Sequence, residues 1–299
     1  MENSEDRVAI VTGANSGIGF HATKKLAEKG IEVVMACRDH DKATESRKNI
    51  EEDLRDPDIR IIELDLADLS SINDFARRFR ENYSRLDLMV NNAGVMHLPF
   101  KRTDFGFEYQ FGVNHLGHFY LNSQLIDTLK DTEDSRVVTV SSLLHKDAEM
   151  DFSRLNDKDS YDKKVAYADS KLANLLYAKE LDKRFKEKEI DSKSIAVHPG
   201  YSDTQLQKKS FIESGNKLGL LLGKAMNFAL AQSAESGSQP TVHACLKSLD
   251  GGEFIGPDGF KEMRGKPTQV QPDERAKNNE LRTKLWDFSE DELGISFNL

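Results

Sequence analysis

Cysteine is almost missing from this chain. Cys37 and Cys245 stand far apart without ligand spacing, so neither a disulfide framework nor a cysteine-held metal is expected. Long apolar runs are missing as well. The longest, Leu218-Gly-Leu-Leu-Leu-Gly223, is followed by Lys224 and is too short to span a bilayer. Positive charge is in deficit: 42 basic residues against 51 acidic ones give −9, which argues against nucleic acid or an anionic membrane as the main partner. No Gly-x-Ser-x-Gly elbow occurs, which argues against a serine hydrolase. Internal repeats and low-complexity linkers are also lacking. The acidic stretch Met1 to Arg7 has no signal-peptide pattern and leads straight into a β-rich run, so a cytoplasmic location is expected. What is present, 299 residues with 38% hydrophobic and 31% charged content, suits one large α/β domain over 1–299.

Arg7-Val-Ala-Ile-Val-Thr12 has no polar alternation, as expected of a strand buried on both faces of a parallel sheet. It breaks into Gly13-Ala-Asn15-Ser16-Gly17-Ile18-Gly19, and a helix is expected from Phe20 to Lys29, closed by Gly30. Ile31 to Ala36 is the next strand, completing a βαβ unit. In such a unit Gly13 permits the tight turn, Gly17 lets backbone approach a pyrophosphate, and Gly19 lets the helix pack closely on the sheet. Free N–H groups at the helix start favour the anion. At the end of the second strand Arg38 precedes Asp39. An arginine there accommodates a ribose 2′-phosphate whereas an acid binds a 2′-hydroxyl, so NADP is favoured over NAD.

Further strands are expected at Ile59–Leu64, followed by Asp65-Leu66, and at Leu86–Val90, followed by Asn91-Asn92-Ala93-Gly94. The small Ala93 and Gly94 permit close approach of a ribose, and the Asn side chains tie the loop to its neighbours. A long helix is expected over 103–130, although Asn114 and two glycines are poor choices for its interior. His115 and His118 lack a carboxylate or cysteine partner at suitable spacing, which favours packing and solvent contact over a metal. Arg136 to Val140 reads as a fifth strand ending in Ser141-Ser142, at the edge where open α/β sheets place ligands. Residues 143–164 read as a polar surface excursion. On the helix that follows, Tyr167 and Lys171 lie four apart and therefore on one face. A phenol ordinarily titrates near pH ~10, and an adjacent ammonium favours the phenolate. The pair therefore offers a proton donor and acceptor for reversible carbonyl reduction. The apolar stripe Leu172, Leu175, Leu176 and Leu181 is core or a subunit contact, the latter implying a homodimer. Ser194 to Val197 is a sixth strand, Glu253 to Pro257 a last one, and a docked amphipathic tail carries Trp286.

Thr12-Gly-x3-Gly-Ile-Gly19, Asn91-Asn-Ala-Gly94, Asn114, Ser142, Tyr167-x3-Lys171 and Pro199-Gly200 occur in one order along nearly the whole chain. Together they resemble the short-chain dehydrogenase/reductase family, in its retinol-dehydrogenase-like branch. The resemblance implies a single Rossmann-type, doubly wound α/β domain with a mostly parallel seven-stranded sheet flanked by helices on both faces. It implies an adenine contact from Asp65 and Leu66, and a nicotinamide-side loop at Pro199, Gly200 and Thr204. It also implies catalytic roles for four residues. Tyr167 exchanges the proton, Ser142 (with Ser141 in reserve) holds the substrate oxygen, and Lys171 binds the nicotinamide ribose and lowers the Tyr167 pKa. Asn114 anchors a water relay. The partner expected is a small apolar aldehyde, ketone or alcohol, beneath a glycine-flanked apolar segment at 205–231. Two rival readings share these motifs: a light-dependent reductase of a ring C=C bond, as in protochlorophyllide reductases, and a non-catalytic NADP-binding redox sensor.

Overall fold

The computed structural model describes residues 7–201 and 233–299. Thr204 and the 205–231 segment lie outside the described residues. Eight strands form one sheet: β1 (Val8–Thr12), β2 (Glu32–Cys37), β3 (Ile59–Glu63), β4 (Leu88–Asn91), β5 (Ser135–Val140), β6 (Ser192–Val197), β7 (Phe254–Pro257) and β8 (Pro267–Gln269). Their spatial order is β3-β2-β1-β4-β5-β6-β7-β8, and every pairing is parallel except the last. β1, β4 and β5 are buried at every position, which is why their sequences do not alternate, whereas the edge strand β3 leaves Arg60 and Glu63 exposed. The chain winds from β1 out to β3 and then returns to β4. This reversal opens a crevice at the carboxyl ends of β1 and β4.

The helices cover both faces. α1 (Gly17–Ala27), α2 (His40–Asp53) and α6 (Ala234–Leu246) pack one apolar layer around Val11, Val33, Val90 and Val138. α3 (Leu69–Asn82), α4 (Tyr109–Lys130), α5 (Lys163–Glu187) and α7 (Asn279–Leu293) pack the other, around Ile10, Met89 and Val137. Asp39, Asp68 and Asp162 each cap the helix that follows by accepting from its first backbone N–H groups. Trp286 on α7 is buried against Phe119, Tyr177 and Phe297, so the tail is docked. Among the described residues no helix is long and apolar enough to cross a membrane.

Three features differ from the sequence reading, and one of its alternatives is decided. The sheet has eight strands, not seven, because Pro267–Gln269 folds back antiparallel on β7. Three partly exposed residues beginning with proline carry no periodicity to reveal a strand. The long helix starts at Tyr109 rather than at residue 103. Residues 102–108 instead form a tight turn in which Gly106 has φ +86° and Thr103 N donates to Phe107 O at 2.8 Å. α4 then opens with Tyr109–Phe111, widens into a π-turn at Gly112–Leu116, and resumes as α-helix at Gly117–Lys130. The 143–164 excursion is not wholly on the surface: His145, Ala148, Met150 and Leu155 are buried, and Asp169 on α5 accepts from Glu149 N and Met150 N at 2.8 Å each. The stripe of Leu172, Leu175, Leu176 and Leu181 is fully buried within this one chain, so it is core and offers no face to a second subunit.

Candidate active site

The crevice begins with the loop after β1. Gly13 and Gly17 adopt φ of +65° and +54°, the left-handed region that other residues rarely enter. A Cβ on Gly19 would collide with Gly13 O, so only glycine lets α1 start this close to the strand. Around Gly17 the space is open to 4 Å. Ser16 is the N-cap of α1 but leaves the helix without a side-chain cap, and its first turn has no acidic residue. The uncapped N–H groups therefore face outward as an anion cradle, flanked by Asn15 and Ile18, both half-buried.

Thr12 locks this loop to the end of β4. Its Oγ1 accepts from Asn92 N and Ala93 N, each at 2.9 Å, while Asn92 Nδ2 donates to Thr12 O at 2.7 Å. His118 completes the lock from α4. Its Nδ1 lies 3.0 Å from Asn114 O, a carbonyl that can only accept, so Nδ1 carries the proton and Nε2 takes the Thr12 hydroxyl at 2.9 Å. Burial pushes His118 down to about 4 and His115 down to about 3, which keeps both neutral. The solvent contact expected of these two histidines is therefore absent, since both are buried. The only available signal for His118 was its position four residues after Asn114, on the same helix face.

Ser142, Tyr167 and Lys171 come together at the carboxyl end of β5. Ser142 lies near enough to Tyr167 to favour its ionised form, and its hydroxyl oxygen accepts from Leu144 N at 3.2 Å. Ser141 is turned the other way: buried, it donates to Lys171 O at 2.7 Å and is unavailable to a ligand. Tyr167 is 7% and Lys171 4% exposed, with the ammonium 5.7 Å from the ring centre. Lys171 Nζ donates to Val140 O at 3.1 Å. Among the described residues its other N–H groups have no acceptor. A Cβ on Gly94 would approach Lys171 Nζ to 3.4 Å and Asn114 Oδ1 to 3.3 Å, so Gly94 forms a floor onto which both residues converge.

The charges here run against the sequence expectation. Burial pushes Tyr167 up to about 12, offset in part by Ser142, and pushes Lys171 down to about 8. In the protein alone desolvation outweighs the attraction of ammonium for phenolate, so Tyr167 is a firmly protonated acid. Asn114 sits in the π-turn, with its side chain committed. Oδ1 accepts from Val95 N at 2.7 Å, and Nδ2 donates to Val95 O and Ser170 Oγ at 2.9 Å each. The widened turn accounts for the polar residue and glycines that an ordinary helix interior disfavours.

Arg38 is exposed at the rim. Its guanidinium donates to Tyr109 Oη at 2.9 Å and lies 3.7 Å from Asp65, rather than pairing with Asp39, which caps α2 and binds Lys42. Leu66 is buried, and its carbonyl is packed so closely by Gly117 that a Cβ there would collide. Pro199 and Gly200 form the turn after β6, where Gly200 has φ +69°. Sequence reasoning missed Tyr109, which no local pattern distinguishes, and His97, whose ring meets Tyr167 edge-on at 5.5 Å.

Comparison with known proteins agrees with this geometry. The family model described as short chain dehydrogenase matches residues 7–214. The chain is 37% identical over 295 residues to retinol dehydrogenase 13 of Mus musculus, covering 97% of this chain and 84% of that protein. It is 37% identical over 289 residues to retinol dehydrogenase 12 of Homo sapiens, covering 97% and 87%. Among solved structures, an uncharacterised protein from Mycobacterium paratuberculosis superposes with a TM-score of 0.80 at 34% identity, covering 98% of this chain and 96% of that one. The Pseudomonas aeruginosa RhlG/NADP active-site complex shares the fold at TM-score 0.67 and 20% identity, covering 86% and 96%. The chain belongs to the short-chain dehydrogenase family and is an oxidoreductase of that family.

Proposed function

We propose that the protein reduces an apolar aldehyde or ketone, or oxidises the corresponding alcohol, with NADP(H) as the redox partner. The observation that carries this reading is the gathering of Ser142, Tyr167 and Lys171 at the carboxyl end of β5, with the Lys171 ammonium and Asn114 meeting at Gly94 beside an uncapped helix N-terminus. The residues present fit a dinucleotide: open space at Gly17, a floor at Gly94 where a side chain would crowd Asn114 and Lys171, and a buried ammonium with unused N–H groups. Gly13, Asn15, Ser16, Gly17, Ile18 and Gly19 would hold the pyrophosphate, Asp65 and Leu66 the adenine, and Asn92, Ala93 and Gly94 the ribose. Pro199 and Gly200 would meet the carboxamide, together with Thr204. Arg38, already oriented by Tyr109, would take the 2′-phosphate through its remaining N–H groups. A bound nicotinamide supplies or accepts the hydride.

The chain's own residues handle the proton. Ser142 holds the substrate oxygen with its hydroxyl, and Tyr167 gives that oxygen a proton during reduction or takes one during oxidation. Lys171 binds the ribose hydroxyls and, with the cationic ring of the oxidised cofactor, draws Tyr167 down from its buried value. Asn114 fixes the Gly94–Val95 turn beside Lys171 and would serve a water relay through its place there, since its amide is already engaged. The apolar substrate class follows from the relatives named retinol dehydrogenases, and we assign the 205–231 segment to covering it within a single domain of 1–299.

Tyr167→Phe tests the reading because the ring remains and only the proton is lost. Turnover should fall by about 10²–10⁴-fold, with the NADPH dissociation constant nearly unchanged. A variant that kept the wild-type kcat would overturn the assignment of Tyr167.

A further inference from the structure

Two turns of the site are far apart in sequence, yet both rest on the connection between β7 and β8. At the turn after β6, Tyr201 N donates to Met263 O at 2.8 Å, and a Cβ on Gly200 would collide with that carbonyl. His198, wholly buried, secures this turn from within. Its Nδ1 accepts the Gly200 N–H at 3.2 Å, and its Nε2 lies 3.2 Å from Glu262 Oε2. Gly256 has no room for a Cβ beside the ring. Because Nδ1 accepts, the ring proton sits on Nε2 and faces Glu262. The two atoms are close but poorly aligned for a hydrogen bond, so the attraction is chiefly that of a carboxylate for a ring N–H.

The turn after β5 reaches the same carboxylate. Lys146 Nζ lies 3.8 Å from Glu262 Oε1, and the neighbouring His145 holds Ser142 O through Nδ1 at 2.6 Å. Glu262 thus touches an element of each turn. Its backbone shows what this placement requires: Lys261 and Glu262 adopt φ of +50° and +57° in succession. Left-handed backbone is strained for a residue with a side chain. That strain is held where the carboxylate bridges the two turns.

We propose that Glu262 is a positioning residue: through His198 and Lys146 it sets the separation between the Ser142 turn and the Pro199–Gly200 turn. On the oxidoreductase reading above, on which the catalytic consequence rests, that separation aligns the substrate oxygen with the nicotinamide.

Glu262→Gly and Glu262→Gln test this. Glycine relieves the backbone strain, so the Gly variant should melt at or above the wild-type temperature. Its kcat should nevertheless fall by about tenfold or more, since small misplacements of reacting groups are costly, while the NADPH dissociation constant changes little. Gln keeps the side-chain length and an acceptor near the His198 N–H but loses the charge that also draws Lys146, so it should recover only part of the lost kcat. Amide hydrogen exchange at Gly200 should quicken in Glu262→Gly and return towards wild type in Glu262→Gln, whatever the substrate proves to be. Unchanged exchange at Gly200, or a Gly variant with wild-type kcat, would overturn the role of Glu262. Failure of the wild-type protein to oxidise NADPH with any carbonyl compound would instead overturn the underlying reading, and the exchange data would still decide whether Glu262 positions the turns.

Discussion

The two walls of the crevice are built by different physics. On the β1–β4 side, apart from the Thr12–His118 pair, the contacts run from side chain to backbone or by close backbone packing: Thr12 to Asn92 and Ala93, Asn92 back to Thr12, and α1 pressed against Gly13. Its properties come from space and from φ. On the β5–β6 side the working groups are buried and titratable, with Tyr167 pushed up to about 12 and Lys171 down to about 8. Its properties come from desolvation. Damage to the first wall should therefore appear in binding and stability, and damage to the second in rate and pH dependence.

The largest loss of stability in the first wall should come from Gly19→Ala. Its Cβ has no room against Gly13 O and Asn92 Nδ2, so overpacking should cost ~1–3 kcal/mol of stability and at least about tenfold in NADPH affinity, as read by denaturation and cofactor titration. Gly17→Ala sharpens the point. Open space surrounds Gly17, so its stability loss should stay near the ~1–2 kcal/mol of left-handed strain, while NADPH affinity falls further because the methyl enters the cradle. Wild-type affinity in both variants would break the claim that this wall is a backbone cradle.

Arg38→Ala should have a smaller and selective effect. Loss of hydrogen bonds to a charged phosphate should raise the Km for NADPH by about tenfold, with little change for NADH. Equal effects on both cofactors would remove the 2′-phosphate from the account.

The second wall predicts a pH signature. The Lys171 ammonium is lost as pH rises through about 8, so kcat/Km for NADPH-dependent reduction should decline above that pH. Stability should move the other way. The folded protein releases this proton at a lower pH than the unfolded chain, whose lysines titrate near ~10.4, so between those values the unfolded state binds more protons. Stability therefore rises with pH across that window. An activity profile flat to pH ~10 would contradict the depressed value of Lys171.

Most of the first wall was legible in the sequence because it depends on glycine spacing: Gly13, Gly17 and Gly19 stand where either φ or space shuts out a side chain. The placing of Tyr167 and Lys171 on one face was equally legible, since helical geometry fixes it. Their pKa directions were not, because burial to 7% and 4% depends on packing from other elements. The start of α4 was misplaced because nothing in the sequence separates a turn closed by Thr103, Gly106 and Phe107 from a first helical turn. β8 escaped because pairing with Ile255 and Pro257 defines it, not its own three residues. His118 and Glu262 escaped because their partners, Thr12 and His198, are 106 and 64 residues away (His198 to Glu262 counted along the chain). Contacts of that range leave no periodic trace.

The account's central claim is that the two walls together make a carbonyl oxidoreductase, not a cofactor sensor. The direct measurement is NADPH consumption in the dark by the wild-type protein with a panel of aldehydes and ketones of graded apolarity. The account predicts consumption matched by alcohol formation, fastest with the apolar members. Tight NADPH binding with no turnover of any member would contradict it.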